Sequence, residues 1–293
     1  MKKIAIIFTC HNRKEKTLVC LSSIKANLST LDPDYHVSVF ICDDGSTDGT
    51  REALVAYREL PISIIDGDGN LFWAKGMAKA MIVAETSNPD FYLFINDDVL
   101  FSPNMLSIML KTFFDNKDRL SAVVGCTQYH DCELCSYGGY DWDNNGFLFK
   151  NNFRRVQPDD DIRECKLANW NCFLLPKELY SIIGKIDDYY EHSFADYDYS
   201  NRIIRAGYHM VITDKYIGRC DRNTIKGTFL DNSLSLKTRF FLIHKRTARP
   251  PRSSWHYATK FYGLFAPLFF LQPYFYVLIT SLPVFKNLRK RIA

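Results

Sequence analysis

Short apolar runs alternating with helical repeats organise the first half of the chain. Residues 3–9, 36–43, 62–66, 91–96 and 121–126 are rich in Ile, Val, Leu and Phe and are bounded by polar turn residues, the pattern of buried strands. Between them Met77, Ala80, Met81 and Ala84 recur at i, i+3, i+4, i+7, and Leu106, Met109, Leu110 and Phe113 do the same, so each set marks the inner face of a helix. Ser102-Pro103, ahead of the second set, predicts a helix capped by Ser102 with Pro103 at its first position. Alternation of this kind predicts an α/β domain, a Rossmann-like arrangement with a mostly parallel central sheet covered on both faces.

Ligands of such sheets bind beyond the carboxyl ends of the strands. Polar clusters stand there one after another: "TCHNR" at 9–13, "DDGSTDGT" at 43–50, "DGDGN" at 66–70 and "NDD" at 96–98. Turn chemistry accounts for the Gly, Ser and Thr. It accounts poorly for Asp43, Asp44, Asp97 and Asp98, which would repel one another along a single edge. A shared divalent cation, or the hydroxyls and ring N–H groups of a ligand, would relieve that repulsion. Neither GxGxxG after the first strand nor GxxxxGK[ST] occurs, so the usual dinucleotide fingerprint and the P-loop are both missing. A carboxylate-held Mg²⁺ or Mn²⁺ bridging a diphosphate is the alternative.

A second centre is "HSFADYDYSNRIIRAGY". It predicts a helix that begins near Asp196, pairs Asp198 with Arg202 at i, i+4, and stops at Gly207. Carboxylates in a first helical turn complement the dipole, and the same dipole keeps a general base ionised; both readings apply to Asp196.

The net charge of +4 divides unevenly. Residues 232–293 carry 11 Lys/Arg and no Asp or Glu, leaving 26 basic and 33 acidic groups in the other 231 residues. No charged side chain lies between Lys260 and Lys286, a run long enough to span a bilayer. Pro267, Pro273 and Pro283 argue against one unbroken spanning helix. Broken aromatic-rich helices in the headgroup layer are expected instead, with Lys286, Arg289, Lys290 and Arg291 on anionic lipid. Basic groups that bracket an apolar run do not track a nucleic-acid groove, so no nucleic-acid partner is expected. Nine cysteines without a framework suit a reducing cytoplasm, and the lone Cys132–Cys135 CxxC lacks the second pair of a zinc site. No signal peptide is read at the start, where Ile4–Phe8 runs directly into polar residues.

The motifs "TCHNR", "CDDGSTDGT", "GDGNLFWAKGMAKAM", "FINDDV" and "FADYDYSNRIIRAGY" resemble, in order and spacing, the family 2 glycosyltransferases of the GT-A fold across residues 4–225. The "GDGNLFW" and "RNTIKGTF…SLSLKTRF" segments look most like bacterial enzymes of lipopolysaccharide, O-antigen or capsule synthesis. The resemblance implies a catalytic domain at 1–225, and the apolar, basic composition beyond it leaves 226–293 as a membrane-associating amphipathic helical tail, expected at the cytoplasmic face of the membrane. It implies a nucleoside-diphosphate sugar donor, a glycan or lipid-linked glycan acceptor, and Mn²⁺ or Mg²⁺. Thr9, Asn12 and Arg13 would line the nucleotide pocket; Asp43, with Asp44 second, would contact the base; Asp97 would face the ribose; and Asp98 with Asn96 would hold the metal. Asp196 would be the base of an inverting transfer, although Ala195 stands where relatives carry another acid, and no His follows in "VITDKYIGRCDRN" as a further ligand. Trp73 and Lys75 by the sugar-diphosphate, and Trp170, Asn171 and His192 by the sugars, are open between contact and packing. The rivals are a sugar-nucleotide nucleotidyltransferase, which normally shows a Gly-rich basic loop after the first strand, and a glycan-binding relative without turnover.

Overall fold

The computed structural model describes residues 1–116, 120–142 and 153–282. They fall into two compact units: residues 1–142 with Phe153–Asp188 and Ala195–Arg222, and Tyr189–Phe194 with 223–282. Lys286, Arg289, Lys290, Arg291 and Pro283 lie outside the described residues.

The first unit opens with β1 (Lys2–Cys10), α1 (Lys14–Leu28), β2 (Tyr35–Asp43), α2 (Thr50–Ala56), β3 (Ile62–Asp66), α3 (Phe72–Glu85) and β4 (Phe91–Ile95). It continues through β5 (Leu100–Phe101), α4 (Met105–Asp115), β6 (Ser121–Gln128), β7 (Cys135–Tyr137), β8 (Gly139–Trp142), β9 (Phe153–Arg155), β10 (Arg163–Cys165) and β11 (Leu167–Ala168). β12 (Cys172–Pro176), α5 (Lys177–Ile183), α6 (Ala195–Arg205) and β13 (His209–Arg219) complete it. Ile4–Phe8 and all five residues of β4 are buried, as strands covered on both faces must be.

The main sheet runs β10-β13-β6-β12-β4-β1-β2-β3, with β5 and β7 on its flank; β8, β9 and β11 form a small second sheet. β3, β2, β1 and β4 are parallel, and β13 is parallel to β6. β12 is inserted antiparallel between β4 and β6. β2 lies on one side of β1 and β4 on the other, so the chain reverses direction across the sheet there. Such a switch point opens a crevice at the carboxyl ends of the two strands. "TCHNR" leaves β1 and "NDD" leaves β4 at that crevice. Because β12 runs the opposite way, its beginning faces the end of β4, and the Asn96 N–H donates to the Asn171 carbonyl at 3.4 Å.

The helix after Ser102-Pro103 begins later than its sequence suggests. α4 starts at Met105, and Ser102 provides main-chain contacts, donating to Ile217 O and accepting from Met105 N. The first-turn donor of Leu106 is taken by Asn27 Oδ1 at 3.0 Å, so a side chain from α1 supplies what Ser102 was expected to supply. Close approach of β5 to β13 requires Gly218, where a Cβ would stand 2.4 Å from Leu100 O.

In the second unit α7 (Leu236–Ile243) and α8 (Pro251–Tyr262) are followed by a single 3₁₀ turn, Gly263–Phe265, and α9 (Ala266–Ser281). The break in the apolar run falls at Gly263, not at a proline. Pro267 sits in the first turn of α9 and Pro273 inside it without ending the helix. α9 is also apolar on its exposed side, so of the two long helices only α8 is amphipathic.

Candidate active site

Arg13 resolves the crowding of carboxylates at the crevice. Its guanidinium lies 2.6 Å from Asp97 Oδ1 and 3.1 Å from Asp98 Oδ2, bridging the pair. Asp97 is 3% exposed and also accepts from Thr17 Oγ1 at 3.4 Å. Burial pushes the Asp97 carboxyl up to about 6, against the pull of Arg13 and with a further push from Asp98. Arg13, expected in the nucleotide pocket, is thus placed as the counter-ion of the strand-end pair.

Asp98 is the more accessible of the two. It borders a cavity of about 430 Å³ whose polar lining includes Glu15, Lys16, His130 and Asp221. The Cys220 thiol, also in that lining, lies 3.7 Å from Asp98 Oδ1, and burial with Asp98 pushes it up to about 12. Asn96 turns its side-chain oxygen to the indole N–H of Trp73 at 2.9 Å. A donor occupies the oxygen that was expected to face a metal. Among the described residues no group of three His, Cys, Asp or Glu is placed to hold a metal ion. Without such a group, Asp98 suits a cation that arrives on a ligand's phosphates, not one caged by protein alone.

The neighbouring loops are held by their own side chains. Asp44, 4% exposed, accepts from the N–H groups of Gly69, Leu71 and Phe72 at 2.9, 3.2 and 2.9 Å, leaving it committed to the turn into α3. Asp44→Ala should lower stability by about 3 kcal/mol, read from urea denaturation, because three donors lose a charged acceptor. Asp43 is also buried and accepts from the Ser46 N–H at 3.2 Å. Asn12 (φ 51°) accepts from Thr47 N and takes Ser46 Oγ on its own N–H, tying the first loop to the second. Thr9 donates to Cys42 O and packs against Gly76, where a Cβ would meet its Oγ1 at 2.4 Å. Lys75 stands half-buried in the first turn of α3.

The acidic helix forms as its spacing indicates, from Ala195 to Arg205, with Gly207 at φ 83° beyond its end. Asp198 is fully buried and pairs with Arg202 Nε at 2.9 Å, while Arg202 also donates to Ile183 O and Lys185 O. That pair is structural. Asp196 accepts from Tyr197 N at 2.9 Å and from Asn169 Nδ2 at 3.4 Å. The residue as a whole is only half-buried, yet its carboxyl is enclosed enough for burial to push it up to about 6.

Trp170 belongs to the core. It is 1% exposed, stacks on Phe94 at 4.4 Å and Phe173 at 5.0 Å, and meets Tyr199 and Trp73 edge-on. Its indole N–H is buried and has no hydrogen-bond partner among the described residues. Trp170→Ala should therefore cost about 3–5 kcal/mol of stability, and Trp170→Phe much less, in the same denaturation experiment. Asn171 donates to Cys220 Sγ at 3.6 Å. His192 is part of the second unit, where burial lowers its pKa. Thus Arg13, Asn96, Asp97 and Asp98 are joined directly, and residues 169–171 link Asn96 to Asp196.

The sequence profile of "Glycosyl transferase family 2" matches residues 5–168, more than half of the chain. The chain belongs to that family. No curated protein sequence matches it significantly. Among solved structures, a mannosyltransferase, PcManGT from Pyrobaculum calidifontis in complex with GDP-Man and Mn²⁺, is similar with a TM-score of 0.55 and 14% identity, over 95% of this chain and 72% of that one. GalNAc-T7 with UDP, GalNAc and Mn²⁺ is similar with a TM-score of 0.57 and 13% identity, over 89% of this chain and 50% of that one. The fold is the GT-A fold.

Two residues of this glycosyltransferase escaped the sequence reading. Asn169, not Trp170, reaches Asp196. Cys220, in the segment where relatives carry a His, lies beside Asp98. Residues 169–171 form the turn between β11 and β12, so strand alternation gives no signal for the first. Nothing local in the sequence signals the second.

Proposed function

We propose that the protein transfers a sugar from a nucleoside-diphosphate sugar to a hydroxyl of a glycan acceptor, with inversion at the anomeric carbon. The family match carries this reading, supported by an enclosed carboxylate, Asp196, connected through residues 169–171 to the Arg13–Asp97–Asp98 cluster at the switch point. The acceptor oxygen attacks the anomeric carbon while its proton passes to Asp196; the bond to the diphosphate breaks, and its electron pair leaves with the diphosphate. Asp97 orients the ribose, and Asp43 the base. Asp98 would hold a divalent cation on the diphosphate, where such a cation neutralises the charge of the leaving group. Arg13 holds both carboxylates in place through its two ion pairs and would meet the phosphates of a bound donor.

The working arrangement is a catalytic domain at 1–225 and a membrane-associating tail at 226–293, at the cytoplasmic face of the membrane. Lipid-linked acceptors of bacterial surface polysaccharide synthesis fit that placement. The test is a thermal-shift panel of UDP, dTDP, GDP and CMP, each with and without Mn²⁺, followed by donor hydrolysis with the sugar nucleotide of the stabilising base. One nucleotide should stabilise the protein by several degrees, and only with the cation. A flat panel would sink the donor-site reading.

A further inference from the structure

The second unit carries a helical hairpin whose tip and second helix expose apolar side chains. α8 and α9 meet at Gly263, whose φ of 52° makes the sharp turn available, and Gly263–Phe265 forms the tip. Leu264 there is 97% exposed and Phe265 68%. Beyond the tip the exposed apolar positions of α9 are Leu268, Leu271, Phe275 and Leu278, three or four residues apart and so on one stripe. No charged residue lies between Lys260 and the end of α9.

The other side of α9 is already in use. Phe269 stacks on Tyr262 at 4.3 Å and packs on Tyr257, and Ala266, Pro273 and Val277 are buried. Arg239 of α7 donates to Thr280 Oγ1 and Ser281 Oγ at 2.9 and 3.0 Å, pinning the end of the helix. α9 therefore has one apolar face packed and one bare. Contiguous bare apolar surface of this kind marks a protein or membrane contact.

Charge decides between these. Residues 232–282 hold seven Lys/Arg and no Asp or Glu; Arg239 is buried and Arg246 pairs with Glu191 at 3.1 Å, while Arg252 and Lys260 lie on α8 itself. A second copy of the chain would bring the same positive charge to the contact, whereas an anionic bilayer brings the opposite charge and an apolar interior. By length and composition Pro251–Ser281 is apolar enough to cross a membrane. The geometry points to another mode. α9 has 16 residues, about 24 Å of helix against a hydrocarbon core of about 30 Å, and one of its faces is bound to protein.

We infer that the α8–α9 hairpin is a wedge for an anionic bilayer: the Leu264–Phe265 tip and the outer stripe of α9 enter one leaflet without crossing it. This gives the membrane association proposed above its residues and its mode, and it holds whether or not the glycosyl-transfer reading does.

The test is flotation of the full chain with vesicles of phosphatidylcholine alone and of phosphatidylcholine mixed with phosphatidylglycerol. The wild-type protein should float with the anionic vesicles, less so at high salt. The double variant Leu264→Glu/Phe265→Glu should bind at least about tenfold more weakly with an unchanged melting temperature, since both side chains are exposed. Leu134→Glu, at an exposed leucine of the first unit, should bind as wild type does. In Phe265→Trp the added fluorescence should shift to the blue on vesicles and be quenched by brominated acyl chains. Equal binding to neutral vesicles would overturn the charge argument, and binding indifferent to the double variant would overturn the wedge. A concentration-dependent dimer that the double variant abolishes, without flotation of the wild type, would assign the stripe to a second copy. None of these readouts involves a sugar nucleotide, so their failure is distinct from failure of the proposed activity.

Discussion

Asp196→Asn should lower kcat by about 10³-fold, the loss expected when a transfer is deprived of its general base. The same change should leave stability at neutral pH equal or higher. Burial raises the folded-state pKa of Asp196 from 3.8 to about 6, so the folded protein binds that proton more tightly than the unfolded chain. The contribution of Asp196 to stability is consequently greatest in acid, falls as pH rises between those two values, and stays unfavourable above about 6. Asn has no such penalty. In the wild type, kcat/KM should fall tenfold per pH unit below about 6, where the base is protonated. Steady-state kinetics of donor turnover against pH, with melting curves of both proteins, check both halves. A variant that keeps wild-type turnover would move the base elsewhere, and Asp198 is not free to take the role because it is buried against Arg202.

Asp98→Ala should abolish the cation-dependent stabilisation by nucleotide and lower kcat/KM by about 10²-fold or more, the scale of one charge-stabilising group at a leaving group. The fold should survive. Asp97, the buried member of the pair, keeps its 2.6 Å contact with Arg13, and Asp98 is the partly buried member bordering the cavity. Asp97→Ala is the contrast: it empties a buried position and leaves Arg13 to Asp98 alone, so stability and activity should fall together. Titration calorimetry with Mn²⁺ and the stabilising nucleotide separates the two variants. A cation-linked signal that persists in Asp98→Ala would remove Asp98 from the diphosphate site.

The strands were legible because burial on both faces demands unbroken apolar runs, and those runs carry the pattern by themselves. β3 spans the residues read from the sequence, and the other four differ by a residue or two at their ends. The acidic helix was legible for a related reason: Asp198, Arg202 and Gly207 act within one short segment. The cap that the sequence predicts at Ser102 is supplied by Asn27, which reaches α4 from α1 and has no local signal. Trp170 was ambiguous because an aromatic residue in a polar segment suits either a ligand or a core, and only the ring stack with Phe94 and Phe173 decides. Asp43 and Asp44 are adjacent and alike in sequence, yet the loop closes with three N–H groups on Asp44 and the Ser46 N–H on Asp43.

By itself the sequence determined the alternating α/β order, the polar loops at the strand ends, the acidic helix and the basic, acid-free tail, because each depends on periodicity or composition within a few turns of chain. Tertiary structure decided the partners. Arg13 meets Asp97 and Asp98 from 84 and 85 residues away, Asn169 meets Asp196 of α6, and Cys220 meets Asp98, each pair joined by the fold and not by nearness in the chain. It also decided which face of α9 is packed and which is bare, since a helix apolar all round carries no periodicity from which to read a side.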